Sequence, residues 1–154
     1  MPGFDYTSGI RFECLKCGIC CGDTIKKPRR ILALETDVQK IAAVTGQNIL
    51  KFSERVEGCE PYAYELKKSG GKCIFLKNNL CTVYLYRPLI CRFYPFELLP
   101  ELDSTHRFDY TTECPGIGTG KEKDATYFRR LYRLARARFR LAKGFGAYCW
   151  LAEA

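Results

Sequence analysis

A segment near the amino terminus, residues 14–22, concentrates four thiols within eight positions in the pattern C-x-x-C-x-x-C-C. Two thiols at C-x-x-C spacing can reach one metal ion, because the two residues between them turn the chain through a tight knuckle. Gly18 and Gly22 suit such turns, since glycine tolerates positive φ. The spacing therefore predicts metal binding by this segment, whose thiols are Cys14, Cys17, Cys20 and Cys21.

The adjacent pair Cys20 and Cys21 limits which kinds of metal site are possible. Neighbouring side chains tend to point apart, so the two thiols do not suit one tetrahedral ion. A disulfide between them would close a strained ring with poor geometry. The pair therefore indicates a polynuclear cluster or two neighbouring metal sites, with one thiol facing each. Cys14, Cys17 and Cys20 are the expected ligands of the principal site, and Cys21 is expected to serve the second site or the far side of the cluster.

Length and composition bound the class of protein. We expect residues 1–154 to form a single cysteine-cluster metal-binding domain. The first twelve residues lack a basic region followed by an apolar run, so we expect no signal peptide. No run approaches the ~18 apolar residues of a transmembrane helix. We therefore expect a cytoplasmic protein whose ten cysteines stay free or bind metal.

One segment carries nearly all of the net charge of +8: residues 121–143 hold nine Lys and Arg against two Asp and Glu. Their periodicity predicts an amphipathic helix over about 123–143, with Phe128 and Leu131 on the apolar face and Arg138 projecting from that same face. A stripe of cations lies opposite. This stripe is either a solvated surface or a docking site for nucleic acid or an acidic protein. Its arginines are Arg129, Arg133, Arg136 and Arg140.

Local signals predict the other elements. Thr36 and Gln39 resemble a capping box at the start of a helix that ends at Gly46, and Asn48 would cap a second helix over 49–56. Large residues alternate over 62–66, and two glycines precede residues 73–76, which predicts a β-hairpin. A further turn is predicted at Asn78 and Asn79, and residues 97–120 look irregular. Cys73, Cys81 and Cys91 lie at the edges of these turns, where ligands to a shared metal would converge.

Several later motifs follow the cysteine segment in a specific order: Cys73-x-Phe75-Leu76, Cys81-x-Val83-Tyr84, Arg87-Pro88, Cys91-Arg92-x-Tyr94-Pro95-Phe96 and Cys114-x-Gly116. With these motifs the sequence resembles the CxxCxxCC cysteine-cluster family, also called YkgJ-like and described as zinc- or iron-chelating. The resemblance implies eight metal ligands and leaves Cys59 and Cys149 outside the set. The implied ligands are Cys14, Cys17, Cys20, Cys21, Cys73, Cys81, Cys91 and Cys114.

The identity of the metal has two alternatives. Two Cys₄ zinc sites would use eight thiols with none left over. An iron–sulfur cluster also fits, because C-x-x-C-x-x-C with a remote Cys114-Pro115 is similar to the bacterial ferredoxin pattern, although the spacing to that last cysteine differs. A cluster accommodates Cys20 and Cys21 more naturally, since its irons offer ligand positions in several directions. We therefore favour an iron–sulfur cluster over zinc.

Other residues offer less chemistry. His106 lies in a polar loop and is expected to be exposed, so no Cys–His pair supports a hydrolytic enzyme. The glycines between Gly116 and Lys121 fit a flexible loop better than a phosphate cradle, because the spacing of a P-loop is missing. Lys16, Arg11 and Arg92 would offset thiolate charge, with a salt bridge from Arg92 to Glu97 as an equal alternative for Arg92.

Together these observations predict a small α+β domain with a loop-rich metal-binding core, a short β-hairpin and several helices, including a long basic C-terminal helix. The predicted function is metal binding, with an iron–sulfur cluster in structural or redox use. Two alternatives stay open. One is a zinc module that docks RNA or an acidic protein through its Arg-rich helix. The other is an accessory factor or enzyme in protein modification, because one branch of the family is similar to flagellin lysine methylases.

Overall fold

Four α-helices and a set of short strands build the part of the chain that the computed structural model describes, namely residues 3–26, 28–101 and 105–141, with side chains as far as residue 139. The mixture confirms the predicted α+β class and includes the C-terminal helix. The helices are α1 (Glu35–Thr45), α2 (Ile49–Phe52), α3 (Leu89–Phe93) and α4 (Ala125–Leu141). No helix in these ranges is long and apolar enough to cross a membrane.

The strands are mostly two or three residues long and form small separate sheets. Two sheets have three strands, in the orders β1-β11-β10 and β3-β5-β4, and three are pairs, β2 with β12, β6 with β7 and β8 with β9. The bounds are β1 (Phe4–Asp5), β2 (Arg11–Phe12), β3 (Leu32–Ala33), β4 (Ser53–Arg55), β5 (Tyr64–Leu66), β6 (Lys68–Ser69), β7 (Lys72–Cys73), β8 (Leu76–Lys77), β9 (Leu80–Cys81), β10 (Phe96–Pro100), β11 (His106–Tyr110) and β12 (Ile117–Glu122).

The prediction that residues 97–120 are irregular is wrong. Strands β10 and β11 pair antiparallel over five residues each, and β12 pairs with β2, where Ile117 lies opposite Phe12. Leu98 and Phe108 are buried facing positions of the β10–β11 pair. Their strands alternate buried and less buried side chains, as expected when one face covers a core. The glycines of β12 therefore belong to a paired strand and not to a flexible loop.

Helix α1 begins at Glu35, and its N-terminal cap differs from the prediction. The Asp37 carboxylate accepts hydrogen bonds from the backbone N–H groups of Leu34 (3.0 Å) and Leu89 (3.3 Å). Asp37 therefore caps α1 in place of the predicted capping box of Thr36 and Gln39. Its hydrogen bond with Leu89 also connects α1 to the start of α3. The predicted stop is confirmed: Gly46 has a φ of 70°, and its N–H donates to the Ala42 carbonyl at 2.9 Å.

The predicted second helix is shorter than 49–56. Asn48 caps it as expected, since its side-chain oxygen accepts from the Leu50 N–H at 2.9 Å. The helix ends at Phe52, and Ser53 to Arg55 continue as β4 because they pair with β5. Strand pairing with a distant segment therefore replaces the last helical turn.

The two predicted turns occur, but the first connects other strands. The turn at Gly70 and Gly71 joins β6 to β7, whereas the predicted hairpin partner 62–66 contributes β5, which pairs with β3 and β4. Asn78 and Asn79 have φ angles of 52° and 62° and join β8 to β9. Positive φ at both central residues is the requirement of a tight two-residue hairpin, and asparagine tolerates it.

The buried apolar side chains form two clusters. The larger cluster packs α4, through residues such as Phe128 and Phe139, against the aromatic side chains of β1, β10 and β11. The smaller cluster lies around α1, β5 and β7 and includes Cys73, with Cys21, Cys81 and Cys91 packed against it. The cysteines are therefore structural neighbours of the smaller core.

Helix α4 presents the two faces that its periodicity predicts. Phe128 is buried and Leu131 is half-buried, whereas the arginines of the predicted stripe are exposed as far as the side chains are described. Arg138 is half-buried, and its charge acts on the buried Asp37 carboxyl. The exposed arginines are Arg129, Arg130, Arg133 and Arg136, and the side chain of Arg140 lies outside the described residues.

Candidate metal centre

One cavity of about 610 Å³ is lined by all eight free cysteines of the described chain. They come from the 14–21 segment, from the hairpins β6–β7 and β8–β9, from α3 and from the turn before β12. Segments that are far apart in sequence therefore meet at one place, as the cysteine pattern predicted. These cysteines are Cys14, Cys17, Cys20, Cys21, Cys73, Cys81, Cys91 and Cys114.

The remaining lining of the cavity is apolar, aromatic or cationic, apart from Asn79. None of the described residues that line it is an aspartate, a glutamate or a histidine. The cations among them are Lys16, Arg87 and Arg92. A donor set made of thiols alone suits soft or borderline metals such as zinc, or iron in an iron–sulfur cluster, and does not suit magnesium or calcium. The residues present therefore fit the metals that the sequence predicts.

Four thiols form an inner group, which we define as Cys20, Cys73, Cys81 and Cys91. Their charges act on one another, because the pKa of the Cys91 thiol responds to each of the other three. Burial raises the pKa of Cys91 to about 12 and also raises the pKa values of Cys73 and Cys81. In an inner group that is this buried, a bound metal would stabilise the thiolate form and release protons on binding.

The pair Cys20 and Cys21 joins the inner group to the rest of the segment. Their Sγ atoms are 3.7 Å apart. Their hydrogen bond and the burial of Cys20 both raise the pKa of the Cys20 thiol, with the hydrogen bond the larger cause. The Cys20 thiol therefore does not ionise readily without a nearby positive charge.

The other three thiols form an outer group, defined as Cys14, Cys17 and Cys114. Cys14 and Cys17 are exposed, whereas Cys114 is buried. Burial raises the pKa of Cys114, and the charges of Cys17 and Cys14 raise it further, which shows that the three thiols are neighbours. Cys114, in the turn before β12, therefore lies beside the C-x-x-C knuckle.

A glycine without room for a side chain brings the outer group together. The Gly116 carbonyl accepts a hydrogen bond from the Glu13 N–H at 3.2 Å. A Cβ placed on Gly116 would lie only 2.1 Å from the Glu13 carbonyl oxygen. Because Glu13 precedes Cys14 and Gly116 follows Cys114 by two residues, this close backbone approach sets the distance between the two segments that carry the outer thiols.

Two further glycines dock the cysteine segment on the hairpins. A Cβ on Gly22 would meet the Gly71 carbonyl oxygen at 2.9 Å, and Gly22 forms an isolated bridge with Lys72. Gly18, at a φ of 77°, would place a Cβ 3.0 Å from Asn79 Oδ1. These contacts hold Cys20 and Cys21 beside the β6–β7 and β8–β9 hairpins, which carry two inner thiols.

Backbone amides point at three of the later thiols. The N–H groups of Phe75 and Val83 donate to Cys73 and Cys81, two residues before them, and lower their pKa values against the effect of burial. The N–H groups of Gly116 and Ile117 likewise donate to Cys114 and lower its pKa. Amide donors two residues after a cysteine stabilise its thiolate form, which is the form that binds metal.

Arg29 is a cation of the site that the sequence analysis missed. Its charge lowers the pKa values of Cys20, Cys73 and Cys91. Its Nε donates to the Cys20 carbonyl at 3.1 Å, and its guanidinium lies 5.3 Å from the centre of the Tyr94 ring. The sequence offered only its place in the basic run 26–30, a run that in isolation looks like a solvated connection.

The three cations predicted to offset thiolate charge, Lys16, Arg11 and Arg92, lie in different surroundings. Lys16 and Arg92 line the cavity, whereas Arg11 Nε donates to the Gly120 carbonyl at 2.7 Å. Arg92 Nη2 donates to the Leu85 carbonyl at 2.8 Å. Of the three, Lys16 and Arg92 are therefore placed to offset thiolate charge.

The thiols line the same cavity, but they do not all lie close to one point within it. Within the ranges that the structure describes, no three side chains of His, Cys, Asp or Glu are grouped closely enough to hold one ion. The metal-ligand assignments of the eight cysteines are therefore still predictions.

Two sequence predictions concern residues away from the cavity. His106 was expected to be exposed, but it is buried in β11, where its ring lies 5.9 Å from that of Tyr132 and burial lowers its pKa. Its position on the buried face of the β10–β11 pair explains the difference. Cys59 is buried in the larger cluster and is disulfide-bonded, so the expectation that every cysteine is free or metal-bound is wrong there. Cys149 lies outside the described residues.

Comparisons with known proteins agree with the site. Residues 13–115 match the family described as "CxxCxxCC: Putative zinc- or iron-chelating domain". The chain is similar to the uncharacterized protein MJ0661 of Methanocaldococcus jannaschii, with 36% identity over 136 residues, covering 80% of this chain and 68% of that protein. It is also similar to MJ0939 of the same organism, with 31% identity over 119 residues and 73% of this chain, but spans only 39% of that relative. No solved structure matches the chain significantly.

Proposed function

The chain belongs to the CxxCxxCC family of zinc- or iron-chelating domains, and from that premise we propose that it binds an iron–sulfur cluster through the thiols of its cavity, for structural or redox use. Metal binding follows from the family. The finer choice of an iron–sulfur cluster is supported by the donor set, which consists of thiols only, and by the adjacent pair Cys20 and Cys21. When bound, such a cluster would supply one-electron redox chemistry or a cross-link between the loops.

The observation that carries the proposal is the convergence of eight free cysteines on one cavity that also has cationic side chains. Thiolates on a metal leave net negative charge. Lys16, Arg87 and Arg92 line the cavity, and the charge of Arg29 reaches three of the inner thiols. Cations and amide donors around thiolate ligands are the levers by which a protein tunes such a centre.

We propose a division of the ligands that differs from the one the sequence suggests. The inner group, which contains Cys20, would form one set, because its four thiols act on one another electrostatically. The outer group would form the second set, and Cys21 would complete it. The sequence pattern placed Cys20 with Cys14 and Cys17, but the charge of Cys20 acts on Cys73, Cys81 and Cys91.

The test is metal and sulfide analysis of the chain purified without oxygen from iron-replete cells. We expect a brown protein with iron, acid-labile sulfide and visible charge-transfer absorption that bleaches with dithionite or air. Replacing an inner thiol, as in Cys91→Ala, should remove the colour. A colourless, folded protein with two stoichiometric zinc ions would overturn the iron–sulfur proposal.

One observation favours zinc as the second candidate. The thiols fall into two neighbouring groups, and eight thiols supply two Cys₄ sets, which is the ordinary composition of structural zinc sites. In that case zinc would cross-link the loops and carry no redox activity. The same preparation decides between the two, because zinc with four thiolates has no visible charge-transfer band.

A further inference from the structure

A surface beside the cavity exposes large side chains that no packing in the described chain explains. The 3₁₀ turn formed by Tyr84–Tyr86 leaves Tyr84 55% exposed, Leu85 74% and Tyr86 42%. Three consecutive large residues at the surface are unusual for a turn, where polar residues ordinarily lie. Contiguous exposed apolar area commonly marks a binding site.

Arginines hold this turn from both sides. The guanidinium of Arg87 lies 3.9 Å from the centre of the Tyr84 ring, and its Nη1 donates to the Tyr84 carbonyl at 3.0 Å. Arg92 Nη2 donates to the Leu85 carbonyl. The tyrosine ring is therefore held in a fixed orientation, with one face against a cation.

Helix α4 brings more positive charge to the same place. The Tyr127 hydroxyl, on the first turn of α4, is within electrostatic reach of Arg87, Arg130 and Tyr84. Arg92 is likewise influenced by Arg87 and Arg138. Arg130 is exposed, and no acidic residue occurs between Asp124 and the end of α4. We name the set Tyr84, Leu85, Tyr86, Arg87 and Arg130 the tyrosine–arginine surface.

The carboxylate that acts on the neighbouring Arg92 and Arg138 does not lie at the surface. Asp37 influences Arg92 and Arg138, but it is buried and accepts two backbone hydrogen bonds. Among the described residues, neither Arg87 nor Arg130 forms an ion pair with a carboxylate, so the tyrosine–arginine surface keeps its positive charge.

We propose that the tyrosine–arginine surface binds single-stranded nucleic acid, with its tyrosines stacking on bases and its arginines contacting phosphates. Exposed aromatic rings interleaved with arginines are the combination that single strands need, because every base has a face to stack on and every nucleotide a charge to neutralise. An acidic polypeptide would use the arginines but leave the tyrosines without a role. The exposed arginines Arg129, Arg133 and Arg136 add further positive charge on α4.

The test uses the full, metal-loaded chain and a fluorescein-labelled, unstructured 20-nucleotide strand, made as RNA and as DNA. Fluorescence anisotropy measures the dissociation constant between about 50 and 200 mM salt. We expect binding of at least one of the two strands to weaken with salt, at a slope of about −0.7 per phosphate contact. Tyr84→Ala should weaken binding about fivefold or more, the lower end expected for a lost base–aromatic stack, whereas Tyr84→Phe should retain it. Arg130→Ala should weaken binding and make the slope shallower by about 0.7.

The controls separate this surface from the metal site and from general charge. Lys26→Ala removes an exposed cation from the loop after Gly22 and should leave binding unchanged. Metal content is measured for each variant, because Tyr84 lines the cavity whereas Arg130 and Tyr86 do not. If Tyr84→Ala loses metal, Tyr86→Ala takes its place with the same expected loss of binding.

Three outcomes would overturn the proposal. The first is no binding of either strand by the unaltered chain at about 50 mM salt. The second is unchanged affinity in the tyrosine and Arg130 variants. The third is equal affinity for polyglutamate or for vesicles of anionic lipid, which would identify a general polyanion surface or a membrane surface instead. None of these outcomes depends on which metal the cavity holds.

Discussion

Arg29 acts on the thiols of the inner group, and we expect it to influence metal binding without being a ligand. Its Nη2 is buried and has no hydrogen-bond acceptor within the described residues, while its Nε is bound to the Cys20 carbonyl. A buried donor without an acceptor costs free energy, so a charged partner nearby is expected to compensate. The thiolates of the inner group, on which Arg29 already acts, can provide that partner when they bind metal.

Replacing Arg29 should therefore loosen the metal. Arg29→Ala is expected to reduce metal affinity roughly 10–100-fold, the usual effect of losing an outer-shell partner, and Arg29→Lys should recover part of the loss. The measurement is competition with a chelator, followed by metal analysis. Arg107→Ala, which removes an exposed arginine paired with Glu101, is the matched control. Equal retention in Arg29→Ala and Arg107→Ala would contradict this role.

The close approach of Gly116 to Glu13 leads to a second prediction about a single residue. Gly116→Ala places a methyl group against the Glu13 carbonyl and should push the Cys114 turn away from Cys14. We expect a loss of about 1–3 kcal/mol in stability from this overlap, together with loss of the metal held by the outer group. Gly118→Ala lies at a φ of 88° with open space around it, so it tests backbone strain alone. Full metal content in Gly116→Ala would show that this approach does not position the outer thiols.

Cysteine replacements provide a third residue-level prediction. Cys59 is buried away from the cavity, so Cys59→Ala should leave the metal content per chain unchanged, whatever its effect on stability. Cys91→Ala should reduce the metal content, because Cys91 lines the cavity among the inner thiols. Elemental analysis of the two purified variants measures the contrast. Metal loss in Cys59→Ala with retention in Cys91→Ala would contradict the prediction that Cys91 is a ligand and Cys59 is not.

At the scale of elements, the thiols are carried by the least regular part of the chain. Strands β6 to β9 have two residues each and form two isolated hairpins, whereas β10 and β11 pair over five residues under α4. Isolated two-stranded hairpins are marginal in water unless something else holds them. We expect a metal in the cavity to support the hairpins together with the smaller apolar cluster, whereas the larger apolar cluster supports β10 and β11.

Metal removal should consequently affect these elements unequally. In amide hydrogen exchange, we expect residues 68–92 to lose protection after chelation, while β10, β11 and α4 retain most of theirs, because their burial does not involve the thiols. Mass spectrometry of exchanged peptides with and without metal measures the difference. Uniform loss across both regions would mean that the chain unfolds as one unit, and no change in 68–92 would show that the metal does not support the hairpins.

At the scale of the molecule, the two apolar clusters divide the sources of stability. The larger cluster is rich in aromatic contacts, such as the 5.0 Å approach of the Phe96 and Phe128 rings, and contains no free cysteine. The smaller cluster includes or contacts four of the eight free cysteines. Metal binding should therefore stabilise the fold mainly by holding the smaller cluster together. This free energy would add to the stability that the larger cluster already provides.

The apparent stability should accordingly rise with metal concentration. A ligand at 100 times its dissociation constant adds about 2.7 kcal/mol when it binds only the folded state. Thermal or denaturant unfolding at increasing metal concentration measures this effect, and Cys91→Ala should show a smaller dependence. An unfolding midpoint that is independent of metal in a chain that demonstrably holds it would argue for binding without stabilisation.

Local patterns predicted a useful part of the fold. The apolar periodicity of α4, the stop at Gly46, the Asn48 cap and the turn at Asn78 and Asn79 all depend on residues within a few positions of one another. Strands β10 to β12 and the burial of His106 were missed. Their structure depends on partners far along the chain, such as Phe12 opposite Ile117, and a single sequence does not specify those partners.

The sequence by itself determined the family, the donor chemistry and the set of candidate cysteines, because the spacing of thiols in a knuckle is a local property of the chain. Only the tertiary structure decided how those thiols are grouped and which cation faces them. The neighbours of Cys20 and Cys114 are set by close backbone approaches at Gly22 and Gly116, between segments that are distant in sequence. Such approaches depend on packing, and no local pattern of charge or spacing encodes them.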